Sequence, residues 1–111
     1  MELKQKKCVP CEGGVPVLGP AEVGRLLANV RGWTVATDES VLRKRFKFPT
    51  FPDNMAFVNR MALLAEAEGH HPDFCVRYTT LDVSLTTHAI GGLSENDFIL
   101  AAKIDDLESK P

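Results

Sequence analysis

Two stretches of this chain alternate with period two, and that alternation restricts the possible folds more than any other feature. In 41–48, Leu42, Phe46 and Phe48 fall on one side and Arg43, Arg45 and Lys47 on the other. In 81–88, Leu81, Val83, Leu85 and Thr87 oppose Asp82, Ser84, Thr86 and His88. Strand side chains point alternately to opposite faces, so each segment reads as a strand with one apolar and one solvated side. Such strands belong to an antiparallel sheet covered on a single face. Each has a hairpin partner close by: 33–37 across a polar Asp38-Glu39-Ser40 turn, and 74–78 across Thr79-Thr80.

Around the strands the period changes to that of a helix. Val23, Leu26, Leu27 and Val30 form one apolar stripe, opened by Gly19-Pro20 and expected to end at Gly32. Thr50-Phe51-Pro52-Asp53 resembles a capping box with Thr50 as N-cap. The helix it opens runs through Phe57, Met61 and Leu64 to a stop at Gly69. After Gly91-Gly92, Ser94-Glu95-Asn96-Asp97 caps a last helix carrying Leu100, Ile104 and Leu107. The order is α-ββ-α-ββ-α. It specifies an α+β, two-layer domain with the helices packed on one face of an antiparallel sheet. The domain spans 19–108, and residues 1–18, which lack periodicity, read as a flexible N-terminal arm.

A chain of 111 residues with 44% hydrophobic and 25% charged residues is one ordinary globular domain. A net charge of −2 gives no general attraction to nucleic acid or to anionic membranes. No apolar run approaches the ~20 residues that span a bilayer, and the charged N-terminus has no apolar stretch behind it. A soluble, cytoplasmic protein is the expectation. Three cysteines, an odd number, suit a reducing compartment. Cys8 and Cys11 form a C-x-x-C without the second ligand pair of a zinc site or the βαβ setting of a redox pair. They read as part of a surface segment, and Cys75 as a small packed hydrophobe.

Function is signalled by histidine. The chain has three: His70 and His71, followed by Pro72 at a predicted helix end, and His88 at a predicted strand end. Imidazole exchanges protons near neutrality, so the set suits acid–base chemistry. Glu66 precedes His70 by one helical turn, and the two side chains are expected to meet. Pro72 biases His71 towards extended backbone, so the tandem pair can line a pocket wall from two directions. Asp97 opens the last helix, where exposed N–H groups favour a carboxylate, and is expected beside His88. Taken singly, each has a plain structural role: helix-end dipole partner, surface residue, strand-end hydrogen bonder or cap. Adjacent histidines rarely point at one ion, so no metal site is expected. No glycine-rich phosphate loop and no serine or cysteine paired with a histidine is evident.

Taken together, Glu66-x-x-x-His70-His71-Pro72, Tyr78, Thr86-Thr87-His88 and Gly92-Leu93-Ser94-Glu95-x-Asp97 closely resemble the signature of the pterin-4a-carbinolamine dehydratases. The likeness extends to Gly32-Trp33, Phe46-x-Phe48 and Cys8-x-x-Cys11-Glu12-Gly13-Gly14. It implies a hydro-lyase that turns 4a-hydroxytetrahydropterin into quinonoid dihydropterin and water, recycling tetrahydrobiopterin for aromatic amino-acid hydroxylases. It implies four antiparallel strands with three helices, a homodimer or homotetramer, and no metal or cofactor, the pterin being substrate. By the same resemblance His70 and His88 are the acid–base pair, with His70 the main proton donor, and His71 orients the pterin or holds the hydroxyl. Glu66 and Asp97 fix histidine protonation or bind the polar edge of the pterin, while Gly69, Thr86, Thr87 and Ala89 line the pocket. Two positions depart from the pattern: Phe74 stands where many members have Trp, and Ile90 where animal members often have Cys. Animal relatives also serve as dimerization cofactors of a homeodomain transcription factor, a role that would use a helix face around Phe57, Met61 and Leu64. A role in molybdopterin metabolism is a further alternative.

Overall fold

The computed structural model describes residues 2–9, 16–36 and 40–108. Its order is α1 (Pro20–Leu27), β1 (Thr34–Ala36), β2 (Val41–Lys47), α2 (Phe51–Glu68), β3 (Asp73–Arg77), β4 (Thr80–Leu85) and α3 (Glu95–Glu108). Short 3₁₀ turns occur at Leu3–Gln5 and His88–Ile90. This is the expected α+β domain. The four strands lie in the order β1-β2-β4-β3, and every pair is antiparallel.

Register explains the two faces. Leu42 pairs with Leu85 and Phe46 with Leu81, so one face turns these apolar pairs to the helices. Arg43, Arg45 and Lys47 pair with Ser84, Asp82 and Thr80 on the open face. Phe46, Phe57, Phe98, Leu42, Met61, Leu81 and Leu85 form the centre of the core, each at most 1% exposed. Helix α3 is buried on several sides through Phe98, Ile99, Leu100, Ala101 and Ile104. It packs against both α2 and the N-terminal 3₁₀ turn, which is why its apolar residues do not keep to one stripe.

Several local expectations need correction. Helix α1 ends at Leu27 with Ala28 as its cap, so Gly32 lies in the following loop and does not terminate it. Lys44 shares the helix-facing side with Leu42 and Phe46, where Asp105 and Glu108 of α3 meet its ammonium at 2.8 and 3.1 Å. Cys75 is exposed, because edge strand β3 turns it to the open face opposite Asp82. Cys8 is not a surface residue. It is 8% exposed, with its thiol directed to the Asn96 carbonyl at 3.6 Å. Leu3 is buried too, and Val9 N–H donates to Asn96 Oδ1, so residues 2–9 of the expected arm lie against α3. Cys11 and the Asp38-Glu39 part of the first turn lie outside the described residues. Among the described residues no helix is long and apolar enough to cross a membrane.

Candidate active site

Three chain ends build the site: the end of α2, the segment after β4 and the start of α3. Thr50 caps α2 by accepting the Asp53 N–H at 3.2 Å, as its capping pattern predicts. At the other end Gly69 takes a left-handed conformation, φ +67°, which only glycine adopts without strain. Its turn lets His70 N–H reach back to the Ala65 carbonyl, the bond of a Schellman motif. The turn folds His70 under the helix end, where it is 6% exposed.

His71 then takes the place beside Glu66 that His70 would occupy if the helix continued. Glu66 Oε1 is 2.8 Å from His71 Nε2, and both side chains are exposed. The expected Glu66–His70 pair is thereby replaced by Glu66–His71. Asp97 likewise is not placed beside His88. It is fully buried, with Oδ1 2.6 Å from His70 Nε2. The partner of His88 is Asp73, an exposed carboxylate 3.7 Å away that the sequence pattern did not single out. Each histidine thus has its own carboxylate, and only the His70–Asp97 pair is removed from water.

His88 also lies off the strand. The β2–β4 ladder ends at the Leu42–Leu85 pair, and the chain beyond closes on itself through a bridge between Thr87 and Gly92. Thr87 N–H donates to Gly92 O at 3.0 Å, and His88, Ala89 and Ile90 form a 3₁₀ turn within this loop. Gly91, φ +67°, supplies the left-handed residue that closes it. His88 therefore projects from a loop apex and not from a strand face.

Gly69, His70, His71, Thr86, Thr87, His88 and Ala89 surround one cavity of about 180 Å³. All three imidazoles border it. It is smaller than the roughly 300–1,000 Å³ of pockets that engulf a small molecule, so it suits the edge of a flat ring. A larger hollow of about 760 Å³ lies on the open sheet face among Arg43, Arg45, Arg77 and Asp82 but holds no histidine. Among the described residues no three His, Cys, Asp or Glu side chains group as ligands of one metal ion. The hydroxyls of the two threonines are turned to protein partners. Thr86 Oγ1 donates to Ser40 O at 2.7 Å and Thr87 Oγ1 to Asp97 Oδ2 at 2.8 Å.

The family model for pterin 4 alpha carbinolamine dehydratase matches residues 16–107. The chain belongs to this family. A Halorhodospira halophila protein provisionally named pterin-4-alpha-carbinolamine dehydratase is 48% identical over 107 residues, covering 96% of this chain and 98% of its own. A protein of the same provisional name from Rubrobacter xylanophilus is 47% identical over 106 residues, with 96% and 98% covered. Among solved structures, a transcriptional coactivator/pterin dehydratase from Brucella melitensis superposes with a TM-score of 0.79 at 30% identity. The match covers 83% of this chain and 98% of that one. A pterin dehydratase-like protein described as a RuBisCO assembly factor of the alpha-carboxysome gives 0.63 at 27% identity, covering 73% and 94%. The Brucella melitensis protein thus shares the fold of this chain.

Proposed function

We propose that this protein dehydrates 4a-hydroxytetrahydropterin to quinonoid dihydropterin, and the observation that carries the reading is the convergence of three imidazoles on one small cavity. Dehydration needs two proton transfers. As the C4a–O bond breaks, its electron pair leaves with the oxygen, which takes a proton from His70 and departs as water. His88 removes the N–H proton from the adjacent ring nitrogen, and the electrons freed there form the new C=N bond. The enzyme ends one proton poorer at His70 and one richer at His88, and exchange with water restores both. Paired general acid and base groups of this kind supply roughly 10²–10⁴-fold each.

His71, held by Glu66 at the exposed rim, orients the heterocycle, and Asp97 holds His70. The activity would recycle tetrahydrobiopterin after aromatic amino-acid hydroxylation, in a homodimer or homotetramer. A role in molybdopterin metabolism would use the same cavity. A partner-binding role through Phe57, Met61 and Leu64 is less well supported, because Phe57 and Met61 are fully buried against the sheet.

The test is to generate the 4a-carbinolamine enzymatically and follow its decay by absorbance. Catalytic amounts of this protein are expected to accelerate the decay, and His88→Ala to abolish most of the gain. Decay at the spontaneous rate with the folded wild-type protein would overturn the reading.

A further inference from the structure

The geometry points to Thr87 and Ser94 as positioning residues that lock the Asp97 carboxylate, and through it one tautomer of His70; the catalytic part of this inference rests on the dehydratase reading. Asp97 and Ser94 are 0% exposed and Thr87 1%. An ionised carboxylate only accepts hydrogen bonds, so the direction of each contact follows from that end of the chain. Thr87 Oγ1–H donates to Asp97 Oδ2 at 2.8 Å, and Ser94 N–H donates to the same oxygen at 3.0 Å. With its hydrogen committed to Asp97, Thr87 Oγ1 accepts from Ser94 Oγ–H at 2.8 Å.

Oδ2 is thus held by two donors on one side, and Oδ1 is presented to His70 Nε2. Nε2 must then carry a hydrogen, whether the ring is neutral or protonated. Ser94 precedes the first residue of α3, where a serine hydroxyl ordinarily accepts an amide N–H of the first turn. Here the Asp97 amide bonds to the Ser94 backbone carbonyl at 3.1 Å, and the Ser94 hydroxyl is turned to Thr87. Thr87 also links the two histidines. Its side chain acts on His70 through Asp97, while its N–H closes the loop that carries His88.

The experiment compares wild type with Thr87→Val, which keeps the shape and removes the hydroxyl, and Thr87→Ser, which restores it. Two readouts are taken: long-range ¹H–¹⁵N NMR of the His70 ring, and steady-state dehydration kinetics. With the ring held neutral at high pH, wild type and Thr87→Ser are expected to show the Nε2–H tautomer. Thr87→Val is expected to show mixed tautomers, with kcat lowered about tenfold, the value of one hydrogen bond to a charged group, and KM little changed. A Thr87→Val protein with the wild-type tautomer and wild-type kcat overturns the inference while leaving the dehydratase reading intact. A tautomer shift in a protein whose wild type does not dehydrate carbinolamine supports the positioning role and overturns the functional reading instead. If Thr87→Val fails to fold, Thr87→Ala decides, since it removes the same donor to Asp97 Oδ2 with a smaller side chain. Its His70 signal is expected to show a second tautomer, and an unchanged signal overturns the inference.

Discussion

His70 Nε2 stands 2.6 Å from Asp97 Oδ1, in a pair whose side chains are 7% and 0% exposed. Exposed ion pairs contribute little, whereas a buried pair controls both the orientation and the protonation of its members. Asp97→Asn keeps the shape, but with its carbonyl oxygen held by Thr87 and Ser94 it turns an NH₂ group towards Nε2. Nε2 would then face a donor in place of an acceptor. The expected outcome is a folded protein whose dehydration rate falls by about 10²–10⁴-fold. Asp97→Ala, which leaves several buried donors unsatisfied, is expected to cost about 3–5 kcal/mol of stability as well. Urea unfolding and carbinolamine decay measure the two effects separately.

His88 provides the contrast, because it is 77% exposed and its partner Asp73 75% exposed. Replacing it removes the proposed proton acceptor without opening the core. His88→Ala should unfold within about 0.5 kcal/mol of wild type, as surface substitutions do, yet lose about 10²-fold or more in turnover. His70→Ala should lose both activity and stability. Equal destabilisation by the two substitutions would contradict the placement of His88 at a loop apex.

The sheet and its one covered face were legible in the sequence because period-two alternation is a direct consequence of strand geometry. Helix ends were legible where a specific residue enforces them, as Thr50 and Gly69 do. The pairing of histidines with carboxylates was not. Spacing along an uninterrupted helix brings Glu66 to His70, but the left-handed turn at Gly69 shifts that register by one residue and gives the place to His71. Asp97 lies 27 residues from His70 in the chain, and only the packing of α3 beside α2 joins them. Asp73 had no visible signal, since its contact depends on the loop closed by Thr87 and Gly92. Lys44 was obscured by the basic residues around it.

Lys44 is 10% exposed in its side chain and faces Asp105, which is 5% exposed. The Asp105 carboxylate also accepts Trp33 Nε1–H at 3.0 Å and the Arg31 N–H at 3.0 Å, tying β2, α3 and the β1 approach together. Lys44→Met is expected to destabilise the fold by about 3 kcal/mol, because it leaves a buried carboxylate short of its cation. Arg43→Met, on the open face one residue away, is expected to change stability by no more than about 0.5 kcal/mol. The difference between their urea midpoints checks which basic side chains lie under the helices.

Glu68 joins the N-terminal segment to the helices, accepting the Cys8 N–H at 2.9 Å and meeting Lys103 Nζ at 3.1 Å. Burial pushes its carboxyl up, but the Cys8 N–H and the Lys103 ammonium more than reverse this and leave it below the usual glutamate range. A carboxyl with a lower pKa in the folded than in the unfolded state stabilises the fold above the unfolded value, about 4.3. That contribution is lost as pH falls through the folded value. Glu68→Gln should therefore be less stable than wild type at pH 7, by about 2 kcal/mol for hydrogen bonds to a charged acceptor. The gap should close as the pH drops below about 4.3. Thermal midpoints of the two proteins from pH 7 to pH 3 provide the check, and a gap independent of pH would show that the Glu68 charge does not hold residues 2–9 in place.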